Sequence, residues 1–175
     1  MKPPTKAQLA RAGRKERIVA AARDIADAEG WSAVTVRRLA DSIGFSQPVL
    51  YGHFPDGREG IVRAVALDGF VRIGAVLQGD VRAVATAYLG FAHDNPALYE
   101  AMFSLPTDLA FATADTPAEL RAAFGGIVGA VGGDETRAET FWAALHGQAE
   151  LSRHGRLRPA AHQERVDLLV GLFAS

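Results

Sequence analysis

The stretch TVRRLADSIGFSQPVLYGHF, residues 35–54, decides how the chain is read. Thr35 is a good N-cap, and Val36, Leu39, Ala40 and Ile43 then recur on one helical face. Gly44 breaks that helix, because a residue without a Cβ accepts the positive φ of a sharp turn. Ser46 is placed to cap a second short helix, and Pro48 is tolerated in its first turn. Leu39, Ile43, Phe45 and Leu50 supply a small core for two helices meeting at that turn, the pattern of a helix-turn-helix. Packing explains these apolar residues. It leaves Gln47, Tyr51 and His53 without a structural task, and Ser46 with none beyond its cap, on a helix of the kind that enters a DNA major groove.

The surroundings extend the pattern. Ile18, Ala21, Ala22, Ile25 and Ala26 predict a preceding helix that closes the three-helix core, with Gly30 at its stop. Residues 1–13, with Pro3 and Pro4 and a basic composition, read as a flexible arm. Residues 14–56 form the helix-turn-helix domain. Residues 57–79 are a linking helix after the break Phe54-Pro55-Asp56-Gly57, with Asp56 placed as its cap. Residues 80–175 form a second helical domain. Helices over about 81–93, 96–104, 116–131, 135–153 and 159–173 fill that second part, with Thr116 and Glu119 resembling a capping box. Alternating β-branched runs and hairpin signals are lacking. The expectation is an all-α protein of about nine helices.

Charge supports a partner at one end. The net charge is −1, yet residues 1–54 hold nine Lys/Arg against five Asp/Glu, and the remainder holds ten against fifteen. A basic first third on an acidic remainder points to an anionic partner met at that end. Without cysteine the chain has no disulfide, thiolate metal site or cysteine nucleophile. No run reaches the ~18 apolar residues of a membrane helix, so a cytoplasmic protein without a membrane partner is expected. The five histidines are scattered and there is no Gly-rich phosphate loop, so an enzyme, a metal site and a cofactor are not expected.

Individual roles follow from the motif. Thr35 and Ser46 can cap helices or offer hydroxyls to phosphate, and both readings stay open. Gln47 can present its amide to a base edge, most naturally adenine. Pro48 shapes the start of the reading helix. Tyr51 and His53 can reach a phosphate or a base. Arg37, Arg38 and Arg58 are candidates for backbone contact.

The segment RIVAAARDIADAEGWSAVTVRRLADSIGFSQPVLYGHFPDGREGIVRAV resembles the amino-terminal domain of TetR-family (tetracycline-repressor-like) transcriptional regulators. The carrying elements are the first-helix pattern, the G-W-x-x-x-T-V-R-x-L-A entry, I-G-F-S and L-Y-x-H-F. The resemblance implies that residues 46–53 form the recognition helix and that a homodimer sets two of them in successive major grooves, ~34–36 Å apart. Two positions depart from the pattern: Gly52 stands where the family often has an aromatic, and Gly57 is an extra residue before Arg58. Further on, FWAALHGQAELSRHGRLR resembles a carboxyl-terminal subgroup named for its Trp-His-Gly elements, here Trp142 and His146-Gly147.

That resemblance implies a carboxyl-terminal ligand-binding and dimerisation domain. Phe91, Tyr99, Met102, Phe103, Phe124, Trp142 and His146 are the residues that can line a pocket, or simply fill a core. Leu145, Ala149, Val166, Leu169, Val170 and Phe173 are expected at the dimer interface, although packing within the subunit can use the same residues. The functional expectation is a repressor that binds double-stranded operator DNA and is released by a small apolar effector. The alternative is a DNA-binding module without an effector.

Overall fold

The computed structural model describes residues 3–174. Nine α-helices are formed among them and no strand: α1 Lys6–Glu29, α2 Val36–Ile43, α3 Gln47–His53, α4 Arg58–Val76, α5 Val81–Asp94, α6 Pro96–Phe103, α7 Ala118–Ala130, α8 Glu135–Arg153 and α9 His162–Phe173. None of them is long and apolar enough to cross a membrane. The chain folds as two compact units. One comprises Met1–Ala66 with Ala97–Asp108, the other Leu67–Pro96 with Leu109–Ser175. The division therefore falls inside α4, and almost all of α6 belongs with the first unit.

In the first unit α1 packs on α2, and α2 on α3. Ile18, Ala22, Ile25 and Ala26 of α1 are buried, as are Leu39, Ala40 and Leu50. Thr35 caps α2, its hydroxyl accepting from the Arg38 amide at 3.1 Å. Gly44 ends the helix with φ 68° and ψ 32°, and the amides of Gly44 and Phe45 both return to the Ala40 carbonyl. Trp31 is buried in a 3₁₀ turn and donates its indole N–H to the Ala97 carbonyl at 2.8 Å, tying α6 to this unit.

Three boundaries differ from the sequence reading. Residues 6–13, expected as part of a flexible arm, are helical. Thr5 and Gln8 close a capping box at the start of α1, and the residues that follow are good helix formers. Met1 and Lys2, also assigned to that arm, lie outside the described residues. Asp56 is not the residue before α4; Gly57 is, with φ 58°. A Cβ on Gly57 would approach Tyr51 Cε1 to 3.1 Å, so this glycine gives the tyrosine ring its room. Similarly, Pro117 and not Thr116 precedes α7, and the Thr116 hydroxyl accepts from the Thr113 amide.

In the second unit α5 packs against α7, α8 and α9, and α8 against α7 and α9. Asp80 and Asp134 cap α5 and α8 through the amides of Ala83 and Arg137. Tyr88, Phe141 and Leu145 are among the fully buried side chains. The end of α4 meets α7 with almost nothing between the backbones. A Cβ on Gly74 would lie 3.2 Å from the Ala123 Cα, and one on Gly126 would overlap the Leu77 carbonyl oxygen.

The expected dimer residues belong to this core. Leu145, Ala149, Val166, Leu169 and Val170 are buried within the subunit, and Phe173 is partly buried against the Phe141 ring at 5.0 Å. The reason is helical periodicity: 166, 169, 170 and 173 share the inward face of α9. Leu168 and Leu172, one turn apart, point outward and are each 72% exposed.

Candidate nucleic-acid interface

Helix α3 is short, and its sequence divides it sharply. Leu50 is 1% exposed and anchors the helix, whereas Gln47, Pro48, Val49 and Tyr51 face solvent. Ser46 stands at the N-cap position, yet its hydroxyl makes no capping bond. The Ser46 carbonyl accepts from Val49 and Leu50 instead. Of the two hydroxyls considered in the sequence, Thr35 is thus engaged as a cap and Ser46 is left outward. Ser46, Gln47, Pro48 and Tyr51 come together on one exposed surface. His53 closes the helix and is partly covered.

The arginines differ in availability. Arg37 is largely exposed, with only a 4.0 Å approach to Asp41. Arg38 pairs with Glu29 across the α1–α2 contact. Arg58 donates Nε to the Val34 carbonyl at 3.0 Å and Nη2 to the Trp31 carbonyl at 2.9 Å. Those two donors fix the turn that leads into α2, so the guanidinium supports the motif from within.

Cations missed by the sequence reading surround α3. Arg11 Nη2 donates to the Gly52 carbonyl at 3.1 Å and Arg14 Nε to His53 Nε2 at 3.4 Å. Lys15 lies 5.6 Å from the centre of the Phe54 ring. Arg17 donates to the Ile43 carbonyl and covers the Phe45 ring. Burial first, then Arg11, Arg14 and Lys15, hold the His53 pKa below its ordinary 6.5. The available signal was the density of basic residues between Lys6 and Arg17, which an unstructured reading of the arm left without a place.

The expected ligand residues are divided between the two units. Tyr99, Met102 and Phe103 lie on α6 in the first unit, where the Tyr99 and Phe103 rings pair at 4.7 Å. Phe124, Trp142 and His146 gather in the second unit. Trp142 sits 6.2 Å from Phe124 and 6.4 Å from His146, and donates its indole N–H to the Tyr88 hydroxyl at 3.0 Å. Phe111 stacks on Trp142 and meets Phe70 edge-on, so Tyr88, Phe70 and Phe111 join a set that omitted them. Phe91, on α5, is partly buried. Burial lowers the His146 pKa, opposed by Glu150 and aided by Arg153. A pocket of about 400 Å³ between α5, α7 and α9 is lined by Asp80, Val81, Arg82, Val131, Val170 and Phe173 among others, and by none of the expected ligand residues.

Comparison with known proteins decides the family. Residues 18–65 match the model of bacterial regulatory proteins of the tetR family, and residues 81–173 match that of the tetracyclin repressor-like C-terminal domain. The chain belongs to the TetR family. Its TetR-type amino-terminal domain carries the helix-turn-helix, and the protein is a DNA-binding transcriptional regulator. The description of the carboxyl-terminal match does not carry the Trp-His-Gly subgroup expected from Trp142, His146 and Gly147. The chain is similar to an uncharacterized HTH-type transcriptional regulator, Rv0681, of Mycobacterium tuberculosis, at 32% identity over 81% of this chain and 71% of the relative. It spans about half the length of further curated relatives. Among solved structures, the regulatory protein SCO4313 has a TM-score of 0.75 at 21% identity, covering 97% of this chain and 100% of the other. A TetR variant from Acinetobacter baumannii, in complex with minocycline, has a TM-score of 0.59 at 16% identity over 99% and 100%. At these identities the two structures speak for the fold alone.

Proposed function

We propose that this TetR-family protein is a homodimeric repressor, held on double-stranded operator DNA by α3 and released by a small apolar effector. The observation that carries the DNA part is the division of α3: Leu50 is anchored in the core while Ser46, Gln47 and Tyr51 are left exposed with no packing task. In this reading Gln47 reads a base edge, Ser46 and Tyr51 hold phosphates, and Arg37 adds an unspecific backbone contact. Arg58 and Thr35 act on the DNA only through the backbone they fix. The partner is chromosomal DNA, which assigns the protein to the cytoplasm.

The effector part rests on the aromatic group around Trp142, whose few polar atoms, on Tyr88 and His146, suit an apolar ligand held by one or two directional bonds. A ligand that prefers one conformer of the second unit lowers DNA affinity by its differential affinity, typically ~1–3 kcal/mol of coupling. The pocket of about 400 Å³ at the start of α5 is lined by none of these aromatic residues.

The test of the DNA part is a pair of substitutions read on matched and mismatched duplexes by fluorescence anisotropy. Gln47→Ala is expected to reduce discrimination between them about 5- to 150-fold, the worth of ~1–3 kcal/mol of base readout. Arg37→Ala is expected to weaken both duplexes alike and lower the salt slope by about one. Unchanged discrimination in Gln47→Ala would remove its assigned role.

A further inference from the structure

The first three turns of α1 are an oddity of the fold. From Lys6 to Arg17 every residue is exposed except Gly13, which is partly covered, and core burial begins only at Ile18. This segment therefore stays helical without a packed face of its own. Its contacts go to the end of α3: Arg11 to the Gly52 carbonyl, Arg14 to His53, and Lys15 to the Phe54 ring. Arg11 and Arg14 are three residues apart, on the same helical face as Ile18.

Capping of α3 accounts for only part of this. One carbonyl occupies one of five guanidinium donors, and an ammonium over a ring makes no hydrogen bond at all. Among the described residues, Arg23, Arg37, Arg38, Arg63, Arg72, Arg82 and Arg153 each have a carboxylate within ion-pair distance; Arg11, Arg14 and Lys15, like Arg17, Arg58, Arg121, Arg156, Arg158 and Arg165, have none, and these three lie together beside the end of α3. Three uncompensated positive charges are thus gathered at the carboxyl end of the helix that reads DNA. Gly52 contributes by leaving the surface clear, with nothing within 4 Å of where its Cβ would stand.

We propose that the amino-terminal turns of α1 form a second DNA-contacting element, in which Arg11, Arg14 and Lys15 bind phosphates flanking the half-site read by α3. The proposal rests on the DNA-binding reading above and deepens it. The chemistry is that of polyanion capture: each neutralised phosphate releases condensed counterions, so the contacts appear as salt dependence and not as base preference. The same three cations help to keep His53 neutral, so Nε2 remains free to accept from Arg14.

The test uses the full chain and a mixed-sequence duplex of about four helical turns. Affinity is measured against salt concentration for the wild type, an Arg11→Gln/Arg14→Gln/Lys15→Gln variant, and a charge-preserving Arg11→Lys/Arg14→Lys variant. Each lost phosphate contact is worth ~0.9 in the logarithmic slope, so the triple variant should bind with a slope shallower by about 2–3 per subunit and about 10- to 100-fold more weakly. The charge-preserving variant should keep the wild-type slope. Lys15→Gln alone, which breaks no hydrogen bond, should lower the slope by about one per subunit, and it stands as the readout if the triple variant melts early. A wild-type slope in the triple or single variant overturns the proposal, as does weaker binding with unchanged slope, which would mark a capping role only. Failure of the wild type to bind any duplex would instead overturn the DNA-binding reading itself.

Discussion

Gly126 and Leu50 show what single residues decide in this protein. Leu50, 1% exposed, fixes which way α3 turns, and through it the outward set of Ser46, Gln47 and Tyr51. Gly126 fixes how closely α7 lies on the end of α4, because any Cβ there would overlap the Leu77 carbonyl oxygen. Backbone cannot yield as a flexible side chain does, so Gly126→Ala must push the two helices apart. The expected cost is about 1–3 kcal/mol, the scale of overpacking, read as a lower midpoint in urea unfolding. Gly125→Ala, with open space at its Cβ, is the control and should be neutral or slightly stabilising by helix propensity. Equal midpoints for the two variants would refute the close approach. The residues of α2 and α3 were legible in the sequence because each has one local cause: a hydroxyl at 35, a missing side chain at 44, an apolar residue at 50. Arg58 was not, because its partners, Trp31 and Val34, are brought to it only by the folded chain.

At the scale of elements, periodicity located the helices but could not say which of two apolar faces turns inward. On α9 both Leu169-Val170 and Leu168-Leu172 follow helical spacing; the first pair is buried and the second is left 72% exposed. An unpartnered pair of leucines one turn apart is the kind of patch that marks an interface, and it replaces the buried residues as the proposed dimer seam. Leu168→Glu/Leu172→Glu is therefore expected to yield a folded monomer by sedimentation, with far-UV helicity retained. A dimer that persists in the variant would move the seam elsewhere. The beginning of α1 escaped the sequence reading for a related reason. Residues 6–15 carry no apolar period, and their helix depends on the Thr5–Gln8 capping box and on propensity.

At the scale of the whole molecule, the proposed function divides two kinds of work within one chain: in it the basic amino-terminal unit meets a polyanion, and the acidic helical remainder pairs subunits and offers an aromatic interior to an effector. The charge asymmetry of the sequence falls along the same division, and the TetR family match gives the amino-terminal part a regulatory meaning. The aromatic set was only partly legible, because Phe70, Tyr88 and Phe111 come from three separate segments and join Trp142 through tertiary folding alone. The most direct measurement is selection of binding sites for the purified full-length protein from a pool of random duplexes. Two copies of α3 in successive major grooves predict an enriched inverted repeat whose half-site centres lie about one helical turn apart. A pool that emerges without enrichment, or with single unpaired half-sites, would contradict it.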